Sequence, residues 1–174
     1  LIAEPSIIGD MAFNRSIVLL ADHTIEGSIG FILNKPLEYT INDLIPEIDS
    51  PLKVYFGGPV SEDNLYFVHK VPELIPDSIE IADGIFWGGD FEAIQSLLKE
   101  DILSKHDIRF FLGYSGWSQK QLEEELETTS WLIVENKFKI LLNINHCNFW
   151  KNELLKFGGI YQLWANSPKD PSLN

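Results

Sequence analysis

The apolar residues of this chain come in short runs. SIVLLADH (16–23), GSIGFILN (27–34), KVYF (53–56), LYFVH (65–69) and IRFFL (108–112) are the clearest. Glycine, proline or asparagine follows soon after each. Short runs of β-branched and aromatic residues, bounded by turn formers, are strand signals. Such a chain builds a sheet with many turns and not a helical bundle. The first two runs are separated by Thr24-Ile25-Glu26, which predicts a hairpin. Ile79–Ile81, Ile85–Trp87, Trp131–Val134 and Phe138–Leu142 add shorter strands.

Helical signals are fewer. Thr40 opens a short helix with Asp43 three residues on, in capping-box spacing, and Pro46 closes it early. Asp90 caps FEAIQSLLKEDIL, where Phe91, Ile94, Leu97 and Leu98 recur at helical spacing. Ser118, with Gln121 three residues on, opens a helix running to about Leu126. Phe149–Phe157 is a fourth helix, ended by Gly158-Gly159. Ile160–Ala165 is apolar, and the tail 166–174 reads as extended. About eight strands and four helices that do not alternate strictly predict one α+β domain over 1–174, with a mostly antiparallel sheet.

One stretch raises a chemical question. FLGYSGWSQKQLEEEL (111–126) reads as a strand, a glycine turn and a helix, with Ser115 in the turn. Serine hydrolases place a nucleophile on such an elbow, but the motif is G-x-S-x-G. Here Trp117 stands where the last glycine belongs, and the helix opens at Ser118 and not at Ser115. His23, His69, His106 and His146 have no triad motif around them. The turn therefore reads as architecture.

Charge narrows the classes further. The 26 acids and 13 bases give a net charge of −13, and residues 1–87 alone hold −10 of it. Arg15 and Arg109 are the two arginines. Nucleic-acid binding draws on lysine and arginine contacts to phosphate, so this balance argues against it. The mildly basic stretch 137–156 is too thin for a footprint. Adjacent His146 and Cys147 lack zinc-ligand spacing, and no phosphate-loop motif occurs. No metal or cofactor is expected. Glu123, Glu124 and Glu125 spread over different helix faces and read as a solvated surface. A single cysteine and no apolar segment of membrane-spanning length predict a cytoplasmic protein with no membrane partner.

The ordered motifs resemble the AlgH/YqgE family of small bacterial proteins. They are IAEP (2–5), F-x-RS (13–16) with VLL (18–20), EGSIGFILNKPL (26–37), YFGGPV (55–60) with the later LYFVH (65–69), GGD (88–90), RFFLGYSGWSQKQLEEEL (109–126), WLIV (131–134) and DPSLN (170–174). The resemblance covers nearly the whole chain, although the family has a few residues before the position of Leu1. It implies one compact α+β domain whose sheet bends into a pseudo-barrel. It brings no catalytic set and no cofactor. Some members carry the label of transcriptional regulator, linked to alginate control in pseudomonads.

The leading expectation is a cytosolic, non-enzymatic binding or regulatory domain acting through a protein partner or small ligand. Its glycine turns, Gly57-Gly58, Gly88-Gly89-Asp90 and Gly113-Tyr114-Ser115, are expected to meet at one polar rim with Arg15 and Asn34. The alternatives are a small-molecule enzyme using Ser115, His23 or Asp90, and a direct DNA binder using residues around 137–156.

Overall fold

The computed structural model describes residues 1–5, 12–135, 142 and 148–167. Among them lie ten strands and five helices in one α+β domain. The strands are β1 (Ile2–Ala3), β2 (Val18–Thr24), β3 (Gly27–Ile32), β4 (Pro36–Thr40), β5 (Lys53–Phe56), β6 (Val60–His69), β7 (Ile79–Ala82), β8 (Ile85–Trp87), β9 (Ile108–Ser118) and β10 (Trp131–Leu132). The helices are α1 (Ile41–Leu44), α2 (Phe91–Lys99), α3 (Gln121–Glu127), α4 (Phe149–Leu155) and α5 (Ile160–Asn166).

The main sheet runs β2-β3-β9-β6-β8-β7 and curves until it nearly closes. β5 lies parallel to β9, with Val54, Tyr55 and Phe56 opposite Phe110, Phe111 and Leu112, and β4 pairs with β5. All other ladders among the described residues are antiparallel. β1 and β10 form a small separate pair. β2 and β3 form the expected hairpin, with Thr24 opposite Gly27.

Side-chain alternation on β9 divides the core. Phe110 packs with Val54, Phe67, Ile94 and Leu98, while its neighbour Phe111 packs with Phe31, Tyr55 and Val68. A third cluster holds Ala3, Val18, Ile32, Trp117, Leu122 and Trp131. Each cluster takes its own helices. α2 covers the Phe110 cluster, α3 the Trp117 cluster, and α4 with α5 the Phe111 cluster. This segregation of helices is what α+β means here.

Several boundaries differ from the sequence reading. The largest difference is at 113–116. This stretch is not a turn, because β9 runs unbroken through it for eleven residues. The strand that opens at Gly27 ends at Ile32, and Pro36 begins a further strand, β4, that the sequence reading lacks. Proline has no N–H to give, but it is tolerated where a strand begins or lies at an edge, and Pro36 does both. β6 starts at Val60, five residues early, and bulges between Val60 and Leu65. α2 stops at Lys99. Asp101 takes a left-handed φ of 55°, and Ile102 N–H closes back on Leu97 O at 2.9 Å, a Schellman ending. α3 starts at Gln121; the Gln121 side chain still accepts from Ser118 N–H at 3.0 Å, so half of the predicted box exists. β10 is two residues long, and 160–166 is helix α5. The predicted strand 138–142 lies outside the described residues except for Leu142, as do His146, Cys147 and the tail from 168.

Candidate functional site

The glycines at 57, 58 and 113 exist because two backbones touch. A Cβ on Gly57 would stand 2.1 Å from Gly113 O, and one on Gly58 would stand 2.3 Å from Tyr114 C. A Cβ on Gly113 would stand 2.4 Å from Gly58 O, and Gly113 also holds φ +68°. Only glycine fits at such a crossing. Ser115 sits in it with no exposed surface, and its hydroxyl donates to Gly57 O at 3.0 Å. That carbonyl also accepts Ile32 N–H at 3.0 Å. Ser115 therefore pins two strands together. The nucleophile reading fails, because the hydroxyl is buried and bonded to backbone.

The histidines have other partners. His23 Nδ1 meets Ser28 Oγ at 2.7 Å across the hairpin. His69 is fully buried. Its Nδ1 accepts from Val71 N–H and its Nε2 faces Gly88 O, both at 3.3 Å, which fixes the proton on Nε2. Burial pulls its pKa below the ordinary 6.5; the Gly88 carbonyl and Glu73 oppose that pull.

The proposed rim residues fall into three settings. Gly57, Gly58, Tyr114 and Ser115 meet at the crossing. Arg15 and Asn34 are neighbours of each other, and the chain on either side of Asn34 runs beside 56–57, with Ile32 N–H donating to Gly57 O at 3.0 Å and Phe56 N–H to Lys35 O at 2.9 Å. Asn34 accepts from Ile17 N–H and donates to Arg15 O, both at 2.8 Å. The Arg15 guanidinium donates to Ser167 O at 2.7 Å and lies 5.1 Å from the Trp150 ring centre, tying α4 and α5 to the sheet. Gly88 donates to Phe67 O at 3.2 Å, and Gly89 lies against Ile75 and Pro76. Asp90 caps α2 through Glu92 N–H at 2.8 Å and Ala93 N–H at 3.4 Å, as its sequence context predicts.

One concave feature among the described residues lies on the outward side of the hairpin and β9. Tyr114, Gly116 and Ser118 point outward, alternating with buried Ser115 and Trp117. Gly116 stands opposite Ile29, and Ile29 opposite Asp22. Gly116 leaves this face without a side chain, and an open groove of about 420 Å³ lies over it. Gly27 also lines the groove, but it is glycine because a Cβ there would stand 2.4 Å from Trp117 O at a φ of +147°. Ile29, Val60 and Tyr114 give it apolar walls, and Asp22, Thr24 and Glu26 a polar end. The Tyr114 ring leans over Gly116, where a Cβ would come 3.1 Å from its edge. Tyr66 holds that ring edge-to-face at 5.5 Å. The sequence signal for this groove was present but unread: a strand glycine on an outward position marks close approach or an empty space.

Beneath the groove the floor is tied down. Glu125 Oε2 accepts from the indole N–H of Trp117 at 2.9 Å and of Trp131 at 2.7 Å. Its other oxygen accepts from Gln121 at 2.8 Å. Phe13 packs on both indoles. Glu125 is thus no solvated surface acid, and the expectation of a solvated surface holds for the exposed Glu123 and Glu124 but not for Glu125. On the Phe111 side, Arg109 is buried. It donates to Leu33 O at 3.2 Å and Leu142 O at 2.8 Å, and it lies 4.6 Å from the Tyr55 ring centre. Burial lowers its pKa, against the opposing pull of Tyr55.

The fold and the groove define a class: an α+β domain with a nearly closed, mostly antiparallel sheet, a crossing of glycines at its centre and an open groove beside it. The chain belongs to the AlgH-like family, whose profile matches residues 1–162. It is 42% identical over 176 residues to a UPF0301 protein of Cytophaga hutchinsonii, covering 100% of this chain and 96% of that one. It is 43% identical over 178 residues to a UPF0301 protein of Bacteroides fragilis, covering 100% and 89%. The solution structure of the AlgH protein from Pseudomonas aeruginosa is similar in fold, with TM-score 0.72, 22% identity and coverage of 96% and 91%. A crystal structure of a Corynebacterium diphtheriae protein gives TM-score 0.74 at 18% identity, with coverage of 96% and 90%. These structural likenesses establish the fold alone.

Proposed function

We propose that this protein is a non-catalytic binding domain, cytoplasmic, whose site is the groove over Gly27 and Gly116. The observation that carries the reading is the pairing of an empty, open groove with a rigid floor. The face lacks a side chain at Gly116, and the floor is pinned by Glu125 and two tryptophans. Sites of this kind recognise by shape and a few polar groups. Any regulatory role then runs through a bound partner or ligand and not through contact with DNA. Among the described residues of 137–156 the bases are Lys151 and Lys156, and Lys156 is paired with Glu153.

Two measurements test this. Gly116→Val fills the groove at a position with ordinary strand φ. A thermal-shift screen of metabolites and peptides should find binders of the native protein that Gly116→Val no longer binds. Binders that ignore the substitution would place the site elsewhere. Separately, duplex DNA at about 50 mM salt should not bind. Binding there that weakens ~10³-fold by 200 mM would reveal several phosphate contacts and restore the direct-regulator reading.

A further inference from the structure

The groove has a chemical sign. None of its ten lining residues is lysine or arginine, and two are acids, Asp22 and Glu26. Neither carboxylate enters an ion pair with another described residue, as Lys70 does with Asp107 and Lys156 with Glu153. Thr24, between the two acids, is occupied locally: its hydroxyl accepts from Glu26 N–H at 3.2 Å. The acidity continues past the groove. Two residues beyond Val60, the bulge of β6 exposes Glu62 and Asp63. This bulge lies against β9, since a Cβ on Gly113 would come 3.2 Å from Glu62 Cα.

The apolar parts complement these charges. Ile29 and Val60 offer aliphatic wall, and Tyr114 offers a ring. Lysine and arginine carry an apolar stem and a charged head, and they lay the stem along such surfaces while the head seeks acid or a ring face. At the hairpin tip Ile25 is 86% exposed, next to Glu26. An enclosed pocket buries most of a small ligand. This groove is open, and its acids and its exposed isoleucine extend beyond it. That extent suits a chain that continues past the groove better than a small free amine.

We propose that the groove docks an extended, lysine- or arginine-bearing segment of a partner protein. Basic side chains would lie between Asp22, Glu26 and Tyr114, and neighbouring residues would run toward Ile25 and Glu62. This inference rests on the groove being the binding site and adds the partner's chemistry.

The test is a titration of ¹⁵N-labelled protein with three probes: a hexapeptide of alternating lysine and valine, its glutamate counterpart, and spermidine. The lysine peptide should shift the amides of Gly27, Ile29 and Gly116. The double variant Asp22→Asn/Glu26→Gln should weaken it about tenfold, the size expected for losing close charge partners. Glu123→Gln/Glu124→Gln removes the same charge from the exposed face of α3 and should change affinity less than about twofold. Equal weakening by both double variants would mean that only the overall negative field attracts the peptide, and would overturn the proposal. Binding of the glutamate peptide would overturn its sign, and spermidine matching the peptide would overturn its commitment to a protein segment. If the lysine peptide leaves these amides unmoved while another ligand still needs an unfilled Gly116, the basic-partner inference falls and the groove stands. If no ligand is sensitive to Gly116→Val, the groove reading itself falls.

Discussion

The two halves of β9 are one strand in two settings. From Ile108 to Phe111 every residue is buried, because β5 and β6 flank the strand and core lies on both faces. From Tyr114 to Ser118 only alternate residues are buried, since β3 pairs on one side and the outward face opens into the groove. A run buried on both faces reads as continuous hydrophobicity, and one buried on a single face reads as alternation. RFFL and YSGWS show both patterns within eleven residues. Gly113 is the joint between them, held against Gly58. The lesson is that a doubly covered segment and a singly covered one can share one strand when a backbone crossing separates them.

The comparison is broken most directly at two aromatic rings. Phe111 is fully buried and stacked on Phe31 at 5.0 Å. Phe111→Ala should cost about 3–5 kcal/mol. Tyr114, three residues on, is half-buried, and Tyr114→Ala should cost less than about 2 kcal/mol, because part of its ring already meets solvent. Urea midpoints of the two variants check this. Equal losses would mean that the groove wall belongs to the core.

Glu125→Ala ranks next. It leaves two indole N–H groups, Trp117 and Trp131, without their shared acceptor. An orphaned buried donor costs about 1–3 kcal/mol. Tryptophan emission should also change as water reaches the indoles. Unchanged emission and stability would show that Glu125 does not support the groove floor.

Glu125 also shows what could be read from sequence and what could not. The local features were legible. The β2–β3 hairpin, the Asp90 cap, the Thr40 box and the glycine end of α4 depend on neighbours in the chain. The features that failed depend on distant partners. Gly113 and Gly116 looked like a turn because glycine usually marks one. Their actual reasons are Gly58, far along the chain, and the Tyr114 ring that leans over the outward face at Gly116. Glu125 looked solvated because its two tryptophans lie on other elements. β4 was missed because the edge position of Pro36 depends on how β5 docks. α5 was missed for a different reason: Ile160 and Leu163 are exposed and it has no side-chain cap, so its pattern lacks the usual amphipathic face. The groove inherits this difficulty, because it is formed by four strands from three parts of the sequence, 22–29, Val60 and 114–117.

A smaller effect concerns pH and the fully buried end of β6. His69 has its pKa lowered by burial below the ordinary 6.5. Below pH 6.5 the unfolded chain binds a proton that the folded protein resists. Stability should therefore fall as pH drops from 6.5 toward the folded pKa, and this contribution should level off below it. Protonation of Nδ1 would also set a proton against Val71 N–H. Urea midpoints at several pH values between 7.5 and 5 check this. His69→Gln should flatten the slope in that window whatever it does to absolute stability. An unchanged slope would assign the pH dependence to other groups.

The smallest effect sharpens the comparison most. Gly116→Ala adds one methyl group at an outward position of β9 where φ is ordinary for a strand. The new Cβ comes 3.1 Å from the edge of Tyr114 and 3.4 Å from Val60 Cγ2, so the ring must give slightly. Removing glycine from a strand meanwhile gains about 0.5–1 kcal/mol, because the unfolded chain loses freedom. The two effects oppose each other, and the net change in stability should be below about 1 kcal/mol. The same methyl group on Gly113 would meet Gly58 O at 2.4 Å in a left-handed backbone, and that substitution should be severe. Glycines three residues apart on one strand should therefore differ sharply: one is required by the fold, the other only keeps the groove open. If Gly116→Ala destabilises as much as Gly113→Ala, the outer half of β9 is core and the groove is incidental. If it is silent in urea but weakens a groove ligand, the space above Gly116 is there for binding.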